Sequence, residues 1–151
     1  MERRIAVRAI ILHSDKLLAV RLKQYKGSLS IDSGTYWCTP GGGLDPGETL
    51  TEGLRREVVE ELGVEPEIGS LLFVQQFSHK GREHLEFFFH VTNNDDFQQL
   101  DLSKTTHGGI EIAEVAFINP HGANLLPKFL TEESLSGVTA HTQPAKTFAY
   151  L

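Results

Sequence analysis

Residues 42–64 read GGLDPGETLTEGLRREVVEELGV, and this segment contains the signals for both ends of a helix. Thr49, followed by Glu52 three residues later, forms a capping box, which marks the start of a helix. Gly63 then supplies the usual helix stop. Between these signals apolar residues recur every four positions, at Leu50, Leu54, Val58 and Leu62. The spacing predicts a helix from about residue 50 to residue 62 with one apolar stripe to bury.

Three glutamates share one arc of this predicted helix. Glu57, Glu60 and Glu61 stand at positions i, i+3 and i+4, so their side chains point in similar directions at the edge of the apolar stripe. Such a face is often simply solvated. Partial burial of three like charges would instead call for a compensating cation, and Mg²⁺ is commonly held by carboxylates together with phosphate oxygens.

The flanking residues favour the second reading. The chain reproduces the pattern G-x5-E-x7-R-E-U-x-E-E-x-G-U, where U is aliphatic, at Gly42, Glu48, Arg56, Glu57, Val58, Glu60, Glu61, Gly63 and Val64. This stretch resembles the Nudix box of the MutT-like Nudix hydrolases. The resemblance implies an α/β/α sandwich around a mixed β-sheet. It also implies Mg²⁺-dependent hydrolysis of a diphosphate linkage in a nucleoside triphosphate or in a nucleoside diphosphate joined to another moiety.

The resemblance assigns roles within the box. It implies that Glu60 and Glu61 are metal ligands, and that Glu57 is a further ligand or orients the attacking water. The Gly41 carbonyl is an expected extra ligand, and Mn²⁺ is an expected substitute for Mg²⁺. Structural roles fall to Gly42, Glu48, Arg56 and Gly63, with a charged contact between Arg56 and Glu48 tying the loop to the helix.

Some family members take their general base from outside the box. Glu111, at the start of a late predicted strand, is our candidate for that acid, and Glu114 and Asp101 compete with it. A catalytically silent Nudix-fold domain that binds or senses a nucleotide is the alternative function. The presence of every box carboxylate argues against it.

Three residues outside the box are candidates for substrate binding. Arg8 and Arg21 lie on the first two predicted strands, where a cation would suit an anionic substrate, although ordinary surface charge is the alternative for each. Trp37 is a candidate for stacking on a base, with burial in the core as the alternative. In the family that this chain resembles, a Pro downstream of the box accompanies a preference for ADP-ribose, and a Tyr in similar territory accompanies dinucleoside polyphosphates. This chain has neither Pro nor Tyr between Glu67 and Asn119, so the resemblance favours nucleoside triphosphates as substrates.

Sequence patterns in the rest of the chain predict further strands and a second helix, and we expect all of them to belong to one domain spanning 1–151. Residues 5–12 and 17–22 are predicted to form a hairpin, and residues 24–35 a loop. Strands are expected at 70–77, 85–92 and 111–118. Pro127 suits the first turn of a second helix that Gly137 would end.

Composition limits the remaining possibilities. The net charge of -6 disfavours binding to a nucleic acid polymer, which depends on neutralising phosphates with Lys and Arg. Cys38 is the only cysteine, so no internal disulfide is expected, and no stretch approaches the length of a membrane span. We therefore expect a cytoplasmic protein that acts on a small nucleotide-like substrate, with a homodimer left open.

Overall fold

The computed structural model describes residues 2–23, 35–141 and 143–150. The loop predicted at 24–35 lies outside these residues except for its last position. In chain order the strands are β1 (Arg3–Ile10), β2 (Leu12–His13), β3 (Lys16–Leu22), β4 (Gly41–Gly43), β5 (Ile68–His79), β6 (Arg82–Val91), β7 (Ile112–Ile118) and β8 (Lys146–Tyr150). The α-helices are α1 (Leu50–Leu62), α2 (Gly108–Glu111) and α3 (Leu135–Ala140).

The strands form two sheets. The larger has the order β4-β1-β6-β5-β8, in which β1 runs parallel to β6 and β8 runs parallel to β5, while the other pairs are antiparallel. The smaller sheet has the order β2-β3-β7 and is antiparallel. The mixed sheet with its few helices confirms the predicted α/β class.

Two apolar clusters lie against these sheets. One gathers the α1 stripe of Leu54, Val58 and Leu62 with inward-facing residues of β1, β3 and β6. The other packs α3 and the 3₁₀ turn Lys128–Thr131 against Phe73 and Phe88. The helices α1 and α3 therefore belong to different clusters, which is the layering expected of a helix–sheet–helix arrangement.

Helix α1 begins and ends where its local signals predicted. The Thr49 side chain accepts from the Glu52 N–H, and the Glu52 side chain accepts from the Thr49 N–H, so the capping box is complete. Gly63 ends the helix in the left-handed conformation, with φ 74°. This helix places the three box glutamates on its last two turns.

Some expectations for the other elements were wrong. The predicted hairpin reduces to the short β2–β3 pair around Ser14 and Asp15, because β1 leaves for the larger sheet and pairs with β4 and β6. Pro127 precedes a 3₁₀ turn rather than an α-helix, and Gly137 lies inside α3 instead of ending a helix. Within the described residues no helix is both long enough and apolar enough to cross a membrane.

Candidate active site

The glycine turn is built against the backbone of β1. Strand β4 pairs with β1, with Gly41 opposite Arg8, and the Ala9 N–H donates to the Pro40 carbonyl at 2.9 Å. Gly41 has φ 139°, and a Cβ there would lie only 2.0 Å from the Val7 carbonyl oxygen. A side chain at Gly41 would therefore push β4 off β1 and displace the turn from the end of α1.

Arg56 joins this turn to the helix. Its Nε and Nη2 donate to the two carboxylate oxygens of Glu48 at 2.7 and 2.9 Å, and Nη2 also donates to the Gly43 carbonyl at 3.1 Å. The hydrogen bonds from Arg56 lower the pKa of Glu48. A two-point contact of this kind fixes orientation as well as distance. The geometry is the one implied for the structural residues of the box.

The three box carboxylates lie on the last two turns of α1, where Glu57 and Glu61 contact the glycine turn and Glu60 contacts Arg56 and His107. Glu57 and Glu60 each accept from Arg56 Nη1, at 3.1 and 3.2 Å. Glu61 is buried, with 5% of its surface exposed, and accepts from the Gly41 N–H at 3.2 Å. A Cβ at Gly42 would lie 2.7 Å from Glu57 Oε2, so a side chain there would push the Glu57 carboxylate out of its present position.

Burial sets the electrostatics of the site. Desolvation raises the pKa of Glu61 to about 8, against the opposing influence of Arg8, and the neighbouring charges of Glu57 and Glu111 add to the rise. The pKa of Glu57 is raised as well, again mainly by burial and despite its contact with Arg56. Two carboxylates are therefore held where their ionised forms lack sufficient compensation.

These residues have the donor chemistry that a hard divalent cation requires. Carboxylate and carbonyl oxygens are the ligands Mg²⁺ takes, and a cation would offset the charge of Glu61 and Glu57. Within the part of the chain that the structure describes, no three acidic, histidine or cysteine side chains are gathered around a common point. Glu57 and Glu60 are instead turned towards Arg56, so binding a metal requires rotations of these two side chains.

A second loop closes on the end of α1. The His107 N–H donates to the Glu60 carbonyl at 2.8 Å, and His107 Nδ1 lies 3.1 Å from Glu60 Oε2. Gly108 packs so closely that a Cβ there would lie 2.0 Å from the Glu61 carbonyl oxygen. Sequence reasoning missed His107, because nothing in its local sequence indicates contact with a helix more than 40 residues earlier.

This loop also carries Glu111 towards the site. Glu111 is the last residue of α2 rather than the first of β7, and its charge acts on Glu61. The competing acids are occupied elsewhere: Glu114 lies 3.7 Å from Arg21, and Asp101 caps a 3₁₀ turn through the Ser103 N–H. Among the three outside acids, the placement favours Glu111.

Arg8 lies beneath the glycine turn rather than on the surface. Its Nη1 donates to the carbonyls of Thr39 and Gly41 at 3.4 and 3.3 Å, and its Nε donates to Glu86 at 3.4 Å. Glu86, on β6, is buried and was not among the residues singled out from the sequence. The signal was a lone acid beside the apolar run Phe87 to Phe89, in a strand otherwise suited to burial.

Arg21 and Trp37 contact each other, and neither is among the residues described above as contacting the box glutamates. The Arg21 guanidinium lies 4.6 Å from the Trp37 ring centre, in a cation–π arrangement. Trp37 is 9% exposed, belongs to the cluster containing Phe73 and Leu125, and pairs with Leu125 through the backbone. This placement favours the core alternative for Trp37 and leaves little of its ring accessible for stacking on a substrate.

Cys38 lies near the glycine turn, where the charges of Arg8 and Glu61 act on its thiol. Its thiol donates to the Val20 carbonyl at 3.6 Å, and burial raises its pKa to about 11. A thiol with such a pKa stays protonated at neutral pH and is a poor nucleophile. The residue therefore packs the site and does not supply an attacking group.

Two curated proteins share segments of sequence with this chain. A 43-residue segment, 26% of this chain, is 49% identical to nucleoside triphosphatase NudI of Enterobacter sp. (strain 638), covering 30% of that protein. A 78-residue segment, half of this chain, is 35% identical to diphosphoinositol polyphosphate phosphohydrolase 2 of Rattus norvegicus, covering 42% of it. The matches thus span less than half of these curated relatives.

The fold has close structural counterparts. The solution structure of the E. coli ORF135 protein superposes with a TM-score of 0.69 at 25% identity, covering 95% of this chain and 96% of the other. The model of the NUDIX domain matches residues 2–135, which include the glycine turn, α1 and the loop carrying Glu111. The match covers most of the chain and both sides of the site described above. The chain therefore belongs to the Nudix family of hydrolases.

Proposed function

We propose that this protein hydrolyses a diphosphate linkage in a nucleoside triphosphate, or in a nucleoside diphosphate joined to another moiety, with Mg²⁺ as its cofactor. The observation that carries the proposal is the buried Glu61 carboxylate, held between the glycine turn and α1 beside Glu57. A buried acid whose pKa is raised to about 8 destabilises the protein when ionised. A divalent cation held by Glu61 and Glu57 would offset this cost and would attract the anionic phosphates of a substrate.

The residues divide into ligands and supports. Glu60, Glu61 and Glu57 would hold the metal, together with the Gly41 carbonyl, and Mn²⁺ is the expected substitute. When bound, the metal supplies charge stabilisation for the phosphoryl oxygens and lowers the pKa of a water. Arg56 and Glu48 keep the turn and α1 in register. Glu111 is the proposed general base, since it is the outside acid whose charge reaches Glu61.

A nucleoside triphosphate is the substrate we favour. One relative carries the name nucleoside triphosphatase, while another is named for diphosphoinositol polyphosphate, and both substrate classes contain phosphoanhydride bonds. Highly phosphorylated inositols would need many cations around the site. The two arginines that donate to the turn are already occupied: Arg8 contacts Glu86 and two carbonyls, and Arg56 contacts Glu48, Glu57 and Glu60. A nucleotide places fewer anionic groups there and suits this site better.

The remaining expectations stay proposals. We propose one domain over 1–151, in the cytoplasm, acting on a small molecule and not on a nucleic acid polymer, with Arg21 at the edge of the substrate site. A homodimer is the open question about assembly. Light scattering on the purified chain distinguishes a dimer from a monomer.

The direct test is a substrate panel. Purified protein with Mg²⁺ is incubated separately with nucleoside triphosphates, nucleoside diphosphate sugars, ADP-ribose, dinucleoside polyphosphates and a diphosphoinositol polyphosphate. We expect release of pyrophosphate or phosphate from the triphosphates at the highest kcat/KM. No turnover of any member would contradict the proposal. Calorimetric binding without turnover would favour the alternative of a catalytically silent nucleotide-binding domain.

A further inference from the structure

A buried ion pair lies beneath the glycine turn, on the face of the larger sheet that carries the second apolar cluster. Arg8 and Glu86 have side chains only 18% and 9% exposed, and they join adjacent strands β1 and β6. Replacing a buried ion pair by well-packed apolar side chains is often neutral or stabilising, since burial strips both charges of water. A contribution to the stability of the fold therefore does not by itself explain why Arg8 and Glu86 occupy these positions.

The contacts of Arg8 suggest what the pair does. Its guanidinium reaches the Thr39 and Gly41 carbonyls on one side and Glu86 on the other. Each of these three contacts is long for a hydrogen bond, at 3.3 to 3.4 Å, so the hold on the turn comes from their combination. A guanidinium can do this because its donors are fixed in one plane, whereas an ammonium has a single nitrogen.

Gly41 is thus held from both directions. Its carbonyl accepts from Arg8, and its N–H donates to the buried Glu61 carboxylate at 3.2 Å. A continuous chain of contacts runs from Glu86 on β6, through Arg8 and the backbone of Gly41, to Glu61 on α1. The two contacts of Gly41 use the peptide groups on either side of its Cα, so moving the Arg8 guanidinium would change the backbone conformation of Gly41 and shift the N–H that orients Glu61.

A second arginine–glutamate pair supplies a matched contrast. Arg3 and Glu83 join the same two strands at 2.9 Å, but the Arg3 side chain is 57% exposed and the pair contacts neither the glycine turn nor α1. If the two pairs served only to join β1 to β6, removing either would have similar effects on the site. The two pairs differ because Arg8 contacts the Gly41 carbonyl.

We propose that Arg8 and Glu86 are positioning residues: Glu86 holds Arg8, and Arg8 fixes the backbone of Gly41 so that the Gly41 carbonyl and the Glu61 carboxylate would present their oxygens to the metal. This assigns Arg8 to the support of the ligand set and not to the binding of substrate phosphates. The assignment rests on the proposed function for its catalytic consequence. Its structural part, the orientation of Gly41 and Glu61, is measurable without any substrate.

The test uses Arg8→Lys, Arg8→Gln and Glu86→Gln, with Arg3→Gln as the matched control. Mn²⁺ binding is measured by electron paramagnetic resonance without substrate, exchange of the Gly41 amide proton by NMR, and kcat and KM on the best substrate. We expect both Arg8 variants to weaken Mn²⁺ binding about 10- to 100-fold, the range for loss of a group that orients a metal ligand. They should speed Gly41 exchange and lower kcat with little change in KM.

The other variants test whether the effect is specific to Arg8 and whether Glu86 acts through it. Arg3→Gln should leave all of these quantities unchanged. Glu86→Gln should weaken Mn²⁺ binding in the natural protein but not further in Arg8→Gln, because Glu86 acts through Arg8. Should Arg8→Gln fail to fold, the double variant Arg8→Met with Glu86→Leu removes both charges together and is measured in the same way, with the same expected loss of Mn²⁺ affinity.

Different results would overturn the proposal. A raised KM with unchanged kcat and Mn²⁺ affinity, restored by Arg8→Lys, would make Arg8 a substrate-binding cation. Unchanged Mn²⁺ binding and Gly41 exchange in every Arg8 variant would remove the positioning role. Failure of the proposed function is distinguishable from both, since the natural protein would then turn over no substrate while the Mn²⁺ and exchange measurements still report on Arg8.

Discussion

The two ends of helix α1 differ in how well their charges are satisfied. At the amino end, the Thr49–Glu52 capping box and the two-point contact between Arg56 and Glu48 pair the polar groups in exposed or half-buried positions. At the carboxyl end, Glu61 is buried with a raised pKa, and the last turn contains no basic residue to offset the helix dipole. One end stabilises the helix, and the other carries the electrostatic cost typical of a functional site.

The largest expected effect comes from removing the buried charge. Glu61→Gln should lower turnover about 100-fold or more, the upper end of losses seen around metal ligands. The folded state should survive, because an amide is cheaper to bury than a carboxylate. Steady-state kinetics and thermal melts check both statements. The matched control is Glu65→Gln, which disrupts the exposed pair with Arg55 and should change neither quantity. Full activity in Glu61→Gln would show that the buried charge at the carboxyl end of α1 has no role in catalysis.

An intermediate effect is expected from pH on the metal-free protein. Because the pKa of Glu61 is about 8 when folded and near 4.5 when unfolded, the folded state binds the extra proton between these values. The free energy of unfolding should therefore fall as pH rises from about 5 to about 8, by up to a few kcal/mol at about 1.4 kcal/mol per pKa unit. Urea titrations in chelator measure this slope.

Two controls accompany the pH series. Glu61→Gln should flatten the slope, and Mg²⁺ should restore stability most strongly at the alkaline end, where the carboxylate is ionised. A natural protein whose stability is constant from pH 5 to 8 in chelator would show that burial of Glu61 carries no cost.

The smallest effect on turnover is expected from a substitution at the amino end of α1, where the polar groups are paired. Thr49→Ala removes the side-chain acceptor of the capping box and should cost about 1 kcal/mol of stability. Turnover at 25 °C should not change, because the cap lies three turns from Glu61. Thr51→Ala is the control, since Thr51 is exposed inside the first turn and caps nothing. Denaturant titrations and kinetics of the two variants separate stability from catalysis; a large loss of turnover in Thr49→Ala alone would contradict the division between the ends.

Sequence reasoning succeeded where the determining signals are local. The bounds of α1 depend on Thr49, Glu52 and Gly63, all within or next to the helix, and they were predicted as observed. The partners of β1 come from β4 and β6, more than 30 and 75 residues away, and no local pattern indicates them. The same limit explains why β8 was not foreseen, as its place beside β5 depends on the finished sheet.

The candidate site divides in the same way. The box residues were assigned from their spacing. In the structure Glu57 and Glu61 lie against the glycine turn, whereas Glu60 contacts Arg56 and His107, and the role of all three as metal ligands stays a prediction. Glu86 and His107 reach the site only through strand register and loop closure, so their sequence neighbours could not place them. Arg8 was singled out for its charge, but its burial and its contact with Gly41 result from the pairing of β1 with β4 and β6, which no local sequence pattern indicates.

The closure of His107 and Gly108 onto the end of α1 bears on how such proteins are aligned. This contact consists of the His107 N–H on the Glu60 carbonyl, the His107 ring beside the Glu60 carboxylate, and the close approach of Gly108 to Glu61. The segment that joins β6 to this point can therefore differ in length as long as it returns to the same place. Counting residues downstream of the box then misplaces specificity markers whenever that segment is longer or shorter. Anchoring an alignment on this docking point instead would bring equivalent acids such as Glu111 into the same column.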